Sequence, residues 1–205
     1  MTGDMIDSKS MTFTERESFI MLTESISQQL RPISEAKVEI FRGDSFQIRV
    51  KDIIESLRYA VAIRGLFRGN DLSEEGKQWD VRLSLGIGAK GFEREELGLS
   101  DGDAYRNSGI GLDGMKKARL NVVFPDKELN EEFSLLTVFA DEIISNWTVK
   151  QSKAILQKLI WEDSNYQIAE RINVRRQTVD KLLKSSKIHL IDLYIKRFRT
   201  LIGQL

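Results

Sequence analysis

Six hydrogen-bonding side chains lie within ten residues near the carboxyl end of this 205-residue chain. They are Arg175, Arg176, Gln177, Thr178, Lys181 and Lys184. Arginine and glutamine can each make two hydrogen bonds to a guanine or an adenine edge, whereas lysine and threonine suit phosphate oxygens. If Val179 and Leu182 point inward, these side chains lie on or just before the outer face of one helix. The pattern predicts contact with double-stranded DNA.

Three short helices would position this surface. Apolar spacing predicts helices over residues 149–161, 166–172 and 176–185, with Ser164 or Asn165 capping the second. A helix-turn-helix needs a small residue in its second helix, a turn residue four positions later and inward apolar residues in its third helix. Ala169, Asn173, Val179 and Leu182 fill these positions. The spacing favours a DNA-binding helix-turn-helix, and a helical unit that binds only protein is the alternative.

The charge distribution agrees with a polyanionic partner. Residues 148–205 carry 12 Lys and Arg against 5 Asp and Glu, and the rest of the chain carries 19 against 26. A basic C-terminal unit on an acidic body favours binding of a polyanion to that unit. A chance imbalance on a solvated surface is the other interpretation.

Composition excludes several kinds of chemistry. The chain has no cysteine, which removes disulfides, thiolate metal sites and cysteine nucleophiles, and its single histidine, His189, leaves little for histidine chemistry. No apolar run approaches the length of a membrane span, and the polar N-terminus lacks the apolar core of a signal peptide. We therefore expect a cytoplasmic protein with no membrane partner.

An apolar stripe marks the last helix, at alternating steps of three and four residues. Its members are Ile188, Ile191, Ile195, Phe198 and Ile202. Such a stripe must be buried, either on the body of the same chain or against a second copy. Since helix-turn-helix proteins commonly use two half-sites, the stripe predicts a homodimer through the C-terminal helix.

Residues 1–126 have the pattern of an α+β domain. Helical spacing over residues 15–30 and 53–67 flanks a hairpin at 37–50, which turns at Gly43 and Asp44. A strand at 81–87, a helix at 103–117 and a strand at 118–124 follow. The order predicts an antiparallel sheet with helices on one face. A connecting helix at 127–147 would join it to an all-α domain at 148–205.

Short motifs in this body resemble the SatD family, and their order and spacing carry the resemblance over nearly the whole chain. The motifs are residues 2–4, 41–46 (FRGDSF), 85–88, 102–105 and 108–109. The resemblance implies a ferredoxin-like core related to class III nucleotide cyclases, followed by a helix-turn-helix. Only three residues precede Asp4, where a ferredoxin-like sheet has a full first strand, so we expect either a shortened first strand or a true start further upstream.

The resemblance also implies a site. In the cyclases, an aspartate after the first strand and one at the hairpin tip hold divalent metal ions, and the matching residues here are Asp4 and Asp44. Carboxylate oxygens suit Mg²⁺ or Mn²⁺. Gly43, Asp44, Arg106 and Lys117 would then contact a nucleotide. The cyclase asparagine and arginine fall near Arg106 and Ile110, so neither is matched, which favours binding over catalysis.

Three functions follow from these patterns. The favoured one is a DNA-binding regulatory protein whose cyclase-like body binds a nucleotide effector or mediates assembly without catalysis. The second is a metal-dependent nucleotide cyclase, or a related nucleotide-processing enzyme, that uses Asp4 and Asp44. The third is a module in which both units bind only protein.

Overall fold

The computed structural model describes residues 1–41, 43–71, 73, 76–89, 91, 97 and 102–204. Arg42, within the motif at residues 41–46, lies outside these ranges. The strands are β1 (Thr2–Met5), β2 (Ala36–Phe41), β3 (Ser45–Val50), β4 (Val81–Gly86) and β5 (Leu120–Val123). The helices are α1 (Phe13–Gln29), α2 (Ser56–Arg68), α3 (Asp103–Asp113), α4 (Lys127–Ser145), α5 (Val149–Trp161), α6 (Asn165–Arg171), α7 (Arg176–Ser185) and α8 (Ile188–Ile202). The α+β class is confirmed.

The five strands form one mixed sheet in the order β2-β3-β1-β4-β5. The β2–β3, β3–β1 and β1–β4 pairs are antiparallel, and the predicted hairpin turns at Gly43, which has a φ of +75°. The β4–β5 pair is parallel, which corrects the expectation of an entirely antiparallel sheet. The reason is that two parallel strands that follow each other in sequence must be joined by a long crossover connection, and α3 supplies it between β4 and β5.

Helices cover both faces of the sheet, which also differs from the prediction. On one face, the ring of Phe46 lies 6.4 Å from Phe19 of α1 and 6.2 Å from Phe67 of α2. On the other, Thr2 exchanges a 2.8 Å hydrogen bond with Ser108 of α3. The glycine at position 86 permits this approach, because a Cβ there would lie 2.2 Å from the Ala104 carbonyl oxygen.

Helix α2 is buried along its whole length, between the sheet and the C-terminal helices. Helix α5 packs on it at two glycines: a Cβ at Gly65 would lie 3.9 Å from Leu156, and one at Gly69 would lie 3.4 Å from Ser152. The side chain of Arg58 adds a 2.7 Å hydrogen bond to the Leu159 carbonyl oxygen. One hydrophobic cluster therefore runs from the sheet into the C-terminal helices.

The apolar stripe of α8 is buried within its own chain. All five of its members are buried. Phe198 packs its ring against Phe124 and Phe133, and Tyr194 exchanges a 2.6 Å hydrogen bond with Thr137 of α4. The stripe therefore packs on the body of its own chain, which was one of the two predicted outcomes. It is not available as a contact surface for a second copy.

Two further expectations concern the first strand and the lipid bilayer. The first strand has four residues and pairs on both sides, with β3 and with β4. Across the described ranges, every helix is too short or too polar to span a lipid bilayer.

Candidate functional sites

Helices α5, α6 and α7 form a compact unit whose bounds follow local capping signals. Thr148 caps α5 and Ser164 caps α6, and each is the first residue of a capping box completed by a glutamine three positions later. The α5 and α7 bounds are those predicted. Asn173 has a φ of 52°, which confirms the left-handed turn residue expected between α6 and α7.

The inward side of α7 packs on this unit. Val179 is fully buried and Ala169 of α6 is nearly so, as predicted. Leu183 is buried more deeply than Leu182, which is only partly covered. Leu183 lies one helical turn after Val179, so the inward face is shifted by one residue from the expected one.

The outer side of α7 presents the predicted donor side chains to solvent. All six, from Arg175 to Lys184, are exposed. Within the described residues Asp180 is the only acidic side chain that pairs with any of them, through a 3.7 Å contact with Arg176. Asp180 also accepts a 2.5 Å hydrogen bond from Asn165 of α6. The surface is therefore cationic and rich in donors, and a side-chain hydrogen bond from α6 reaches the helix that carries it.

A buried ion cluster joins the sheet to helices α2 and α4. Asp80, before β4, accepts hydrogen bonds from Arg64 and Arg68 of α2 at 2.6 to 3.0 Å and from Arg119 at 3.2 Å. Arg64 also donates to Asp141 of α4. Burial alone would raise the pKa of Asp80, but the guanidinium groups of Arg64 and Arg68 outweigh it and hold that pKa below its ordinary value.

The same cluster reaches the start of the C-terminal unit through Trp147. Its carbonyl oxygen accepts hydrogen bonds from Arg68 (2.7 Å) and Gln78 (2.9 Å), and its indole nitrogen donates to the Ser186 carbonyl oxygen between α7 and α8 (2.9 Å). This cluster was not among the predicted sites. The available signal was the presence of Arg64 and Arg68 four residues apart in the mostly apolar second half of α2, since such charges are buried only when paired.

The two candidate metal carboxylates lie at the same end of the sheet. Asp4 of β1 is opposite Ser45 of β3, and the backbone N–H of Met5 donates to the Asp44 carbonyl oxygen at 2.9 Å. Both Asp4 oxygens accept from Arg82 of β4, the Nε bond being 2.8 Å, and these bonds raise the pKa of Arg82.

Asp44 is engaged separately. Its carboxylate accepts a 2.6 Å hydrogen bond from the Ser8 hydroxyl, and a Cβ on neighbouring Gly43 would lie 3.6 Å from Arg16. Among the residues that the structure describes, no three His, Cys, Asp or Glu side chains are grouped as a metal site. In this arrangement Arg82 occupies the oxygens of Asp4 that a cation would need, so the donor set does not fit a metal ion.

The other predicted nucleotide contacts are not gathered around Asp44. Arg106 pairs with Asp103 at 2.8 Å in the first turn of α3. That turn adjoins the end of β4 beside the start of β1, so it lies at the opposite end of the sheet from Asp44. Lys117 is at the Asp4 end but lines a depression against α4.

No protein-family model, curated protein or solved structure matches this chain.

Proposed function

We propose that this chain is a DNA-binding regulatory protein in which α5, α6 and α7 act as a helix-turn-helix and α7 enters the major groove. The observation that carries the proposal is the two-sided character of α7. Val179 and Leu183 are buried, whereas the six donor side chains from Arg175 to Lys184 are exposed. A helix used only for internal packing would not need this concentration of donors.

The contacts proposed for α7 fall into two kinds. Arg176 and Gln177 are in its first turn, where a recognition helix meets base edges, and both can make paired hydrogen bonds there. Lys181 and Lys184 lie further along the helix and suit phosphates. Asp180 disfavours close approach of a phosphate at its own position, which directs the phosphate contacts to the two lysines.

We propose that the body is of the SatD type and binds a nucleotide effector or mediates assembly without catalysis. The strand order β2-β3-β1-β4 with α1 and α2 on one face supports a ferredoxin-like core. The ion pair between Asp4 and Arg82 supports a non-catalytic body, because it neutralises one of the two carboxylates that a cyclase would use for metal.

The test is the salt dependence of binding by the full chain to labelled duplex DNA. Each phosphate contact releases counterions, so a Lys181→Ala variant is expected to reduce the slope of log K against log salt by about 0.9. Lys127→Ala, in the first turn of α4, is the matched control because its side chain is 88% exposed and it lies outside the C-terminal unit. Binding that is absent, or a slope that Lys181→Ala leaves unchanged, would contradict the proposal.

The enzymatic alternative is supported by one observation, the position of Asp4 on β1 beside the hairpin turn that carries Asp44. Calorimetry with ATP or GTP and Mn²⁺ tests it. Tight binding that Asp44→Ala abolishes, accompanied by turnover, would favour the enzyme. Nucleotide binding that Asp44→Ala leaves intact would exclude Asp44 as a metal ligand.

A further inference from the structure

Helices α4 and α8 share an exposed apolar surface on the side of α8 away from the buried stripe. Its members, which we call the α4–α8 face, are Leu135, Val138, Phe139, Leu190 and Leu193, each between 42% and 64% exposed. The three on α4 have the i, i+3, i+4 spacing of one helical face, and the two on α8 are three apart. Contiguous apolar surface of this kind marks an interaction site.

A groove of about 410 Å³ runs between the two helices beside these side chains. Apolar residues of both helices form most of its walls, namely Leu136, Phe139, Ala140, Ile143, Leu190 and Leu193. Projecting side chains and a groove on one surface allow it to pack against a copy of itself. A two-fold interface requires such self-complementarity, since the same patch is used on both subunits.

The charges beside the face point to a second copy as the occupant. Helix α4 exposes Glu128, Glu131 and Glu142, and α8 exposes Lys196 and Arg197. The acidic and basic helices already attract each other within the chain, where Arg197 holds Glu132 at 2.7 Å. A two-fold axis that runs along the two helices places α4 of each copy against α8 of the other, and the charges favour this orientation because it pairs the acidic helix with the basic one twice.

We propose that two copies of this chain associate through the α4–α8 face. Helix α8 then has two apolar sides: the stripe holds it to its own body, and Leu190 and Leu193 contact the partner. The association does not depend on DNA binding. If the proposed function also holds, the pair carries two α7 helices and reads two half-sites.

Light scattering of the full chain across the micromolar range, without DNA, tests the association. The unmodified protein is expected to form a dimer. Phe139→Glu and Leu193→Glu are each expected to raise the dimer dissociation constant by roughly tenfold or more, the effect of losing one central apolar anchor. Met21→Glu is the matched control, since Met21 is a 69% exposed apolar residue on α1, and it should dimerise like the unmodified protein.

A spectroscopic measurement locates the interface. Because the chain has no cysteine, Leu193→Cys supplies one labelling site, and spin labels there should lie within dipolar range of each other in the dimer. A monomer throughout the range, or a dimer unaffected by both glutamate variants, would overturn the proposal. Dimerisation without DNA binding would leave it intact and count only against the DNA-binding function.

Discussion

Asp80 is the residue on which the buried charges depend. Its carboxylate is almost completely buried, and three guanidinium groups and the Val81 backbone N–H donate to it. A buried ion pair returns little net stability, because desolvation offsets the attraction, but removal of one partner leaves the others uncompensated. Loss of Asp80 would therefore destabilise the fold mainly because buried guanidinium groups would be left unpaired, rather than because one strong contact would be removed.

Replacement of Asp80 by asparagine should be strongly destabilising. Arg64 would keep Asp141 as its partner, but Arg68 would lose the one carboxylate that it contacts among the described residues, so we expect the free energy of unfolding to fall by about 3 kcal/mol or more. Urea denaturation measures it. The control is Asp71→Asn, which removes the exposed pair with Lys153 and should cost less than about 1 kcal/mol. Equal costs for the two variants would show that the cluster is not structurally important.

The pH dependence of stability follows from the same carboxylate. The pKa of Asp80 is lower in the folded protein than in the unfolded chain, so its contribution is complete above the unfolded value, about 4, and is lost as pH falls through the folded value. We expect an additional loss of up to about 1.4 kcal/mol per pH unit below pH 4 in the unmodified protein relative to Asp80→Asn. Parallel stability curves for the two proteins in acid would contradict this assignment.

At the scale of elements, the turn between α6 and α7 sets how the proposed recognition helix is presented. The Val174 N–H donates to the Ala169 carbonyl oxygen at 3.0 Å, which closes the end of α6. The chain reverses at Asn173, which adopts the left-handed region that glycine, asparagine and aspartate tolerate best. A helix-turn-helix usually has glycine at this position, and asparagine meets the same backbone requirement.

Substitutions at Asn173 should therefore rank glycine above alanine. We expect Asn173→Ala to lower the free energy of unfolding by about 1 kcal/mol and Asn173→Gly to change it by less than about 0.5 kcal/mol. At Glu170, an exposed residue within α6, the order should reverse, because glycine costs about 1 kcal/mol more than alanine inside a helix. The same order at both positions would argue against a strained turn.

For the whole molecule, α2 is the element that the sheet and the C-terminal helices share. Its burial on all sides means that neither neighbour can separate without exposing it. The contacts from Arg68 and Gln78 to Trp147, and from Trp147 to Ser186, add a polar connection between the same parts. Any movement of the body relative to α7 would have to break or distort these contacts.

This shared helix predicts a single unfolding transition. Leu156→Ala, which removes α5 side-chain atoms next to Gly65 of α2, should cost about 2 kcal/mol or more. Hydrogen exchange should show equal loss of protection for β4 and α7 amides, while Met21→Ala on the exposed face of α1 should change neither. Early exchange of α7 alone would mean that the C-terminal helices unfold as an independent domain.

Local signals in the sequence were sufficient for the C-terminal helices, the Gly43 hairpin and the α+β class. Caps such as Ser164, a left-handed Asn173 and apolar spacing act between residues a few positions apart, so their effect can be predicted without the rest of the chain. The exposed donors Arg175 to Lys184 were also predictable, because apolar Val179 indicates which side of α7 faces inward.

Only the tertiary structure decided the remaining features. The parallel β4–β5 pair and the burial of the α8 stripe both depend on which distant surfaces meet, and periodicity shows that a face is buried without showing by what. The ion pairs of Arg64 with Asp80 and Asp141 join positions up to 77 residues apart. The same long-range packing pairs Asp4 with Arg82 and leaves Arg106 at the far end of the sheet, so the carboxylates predicted for metal adjoin without sharing a site.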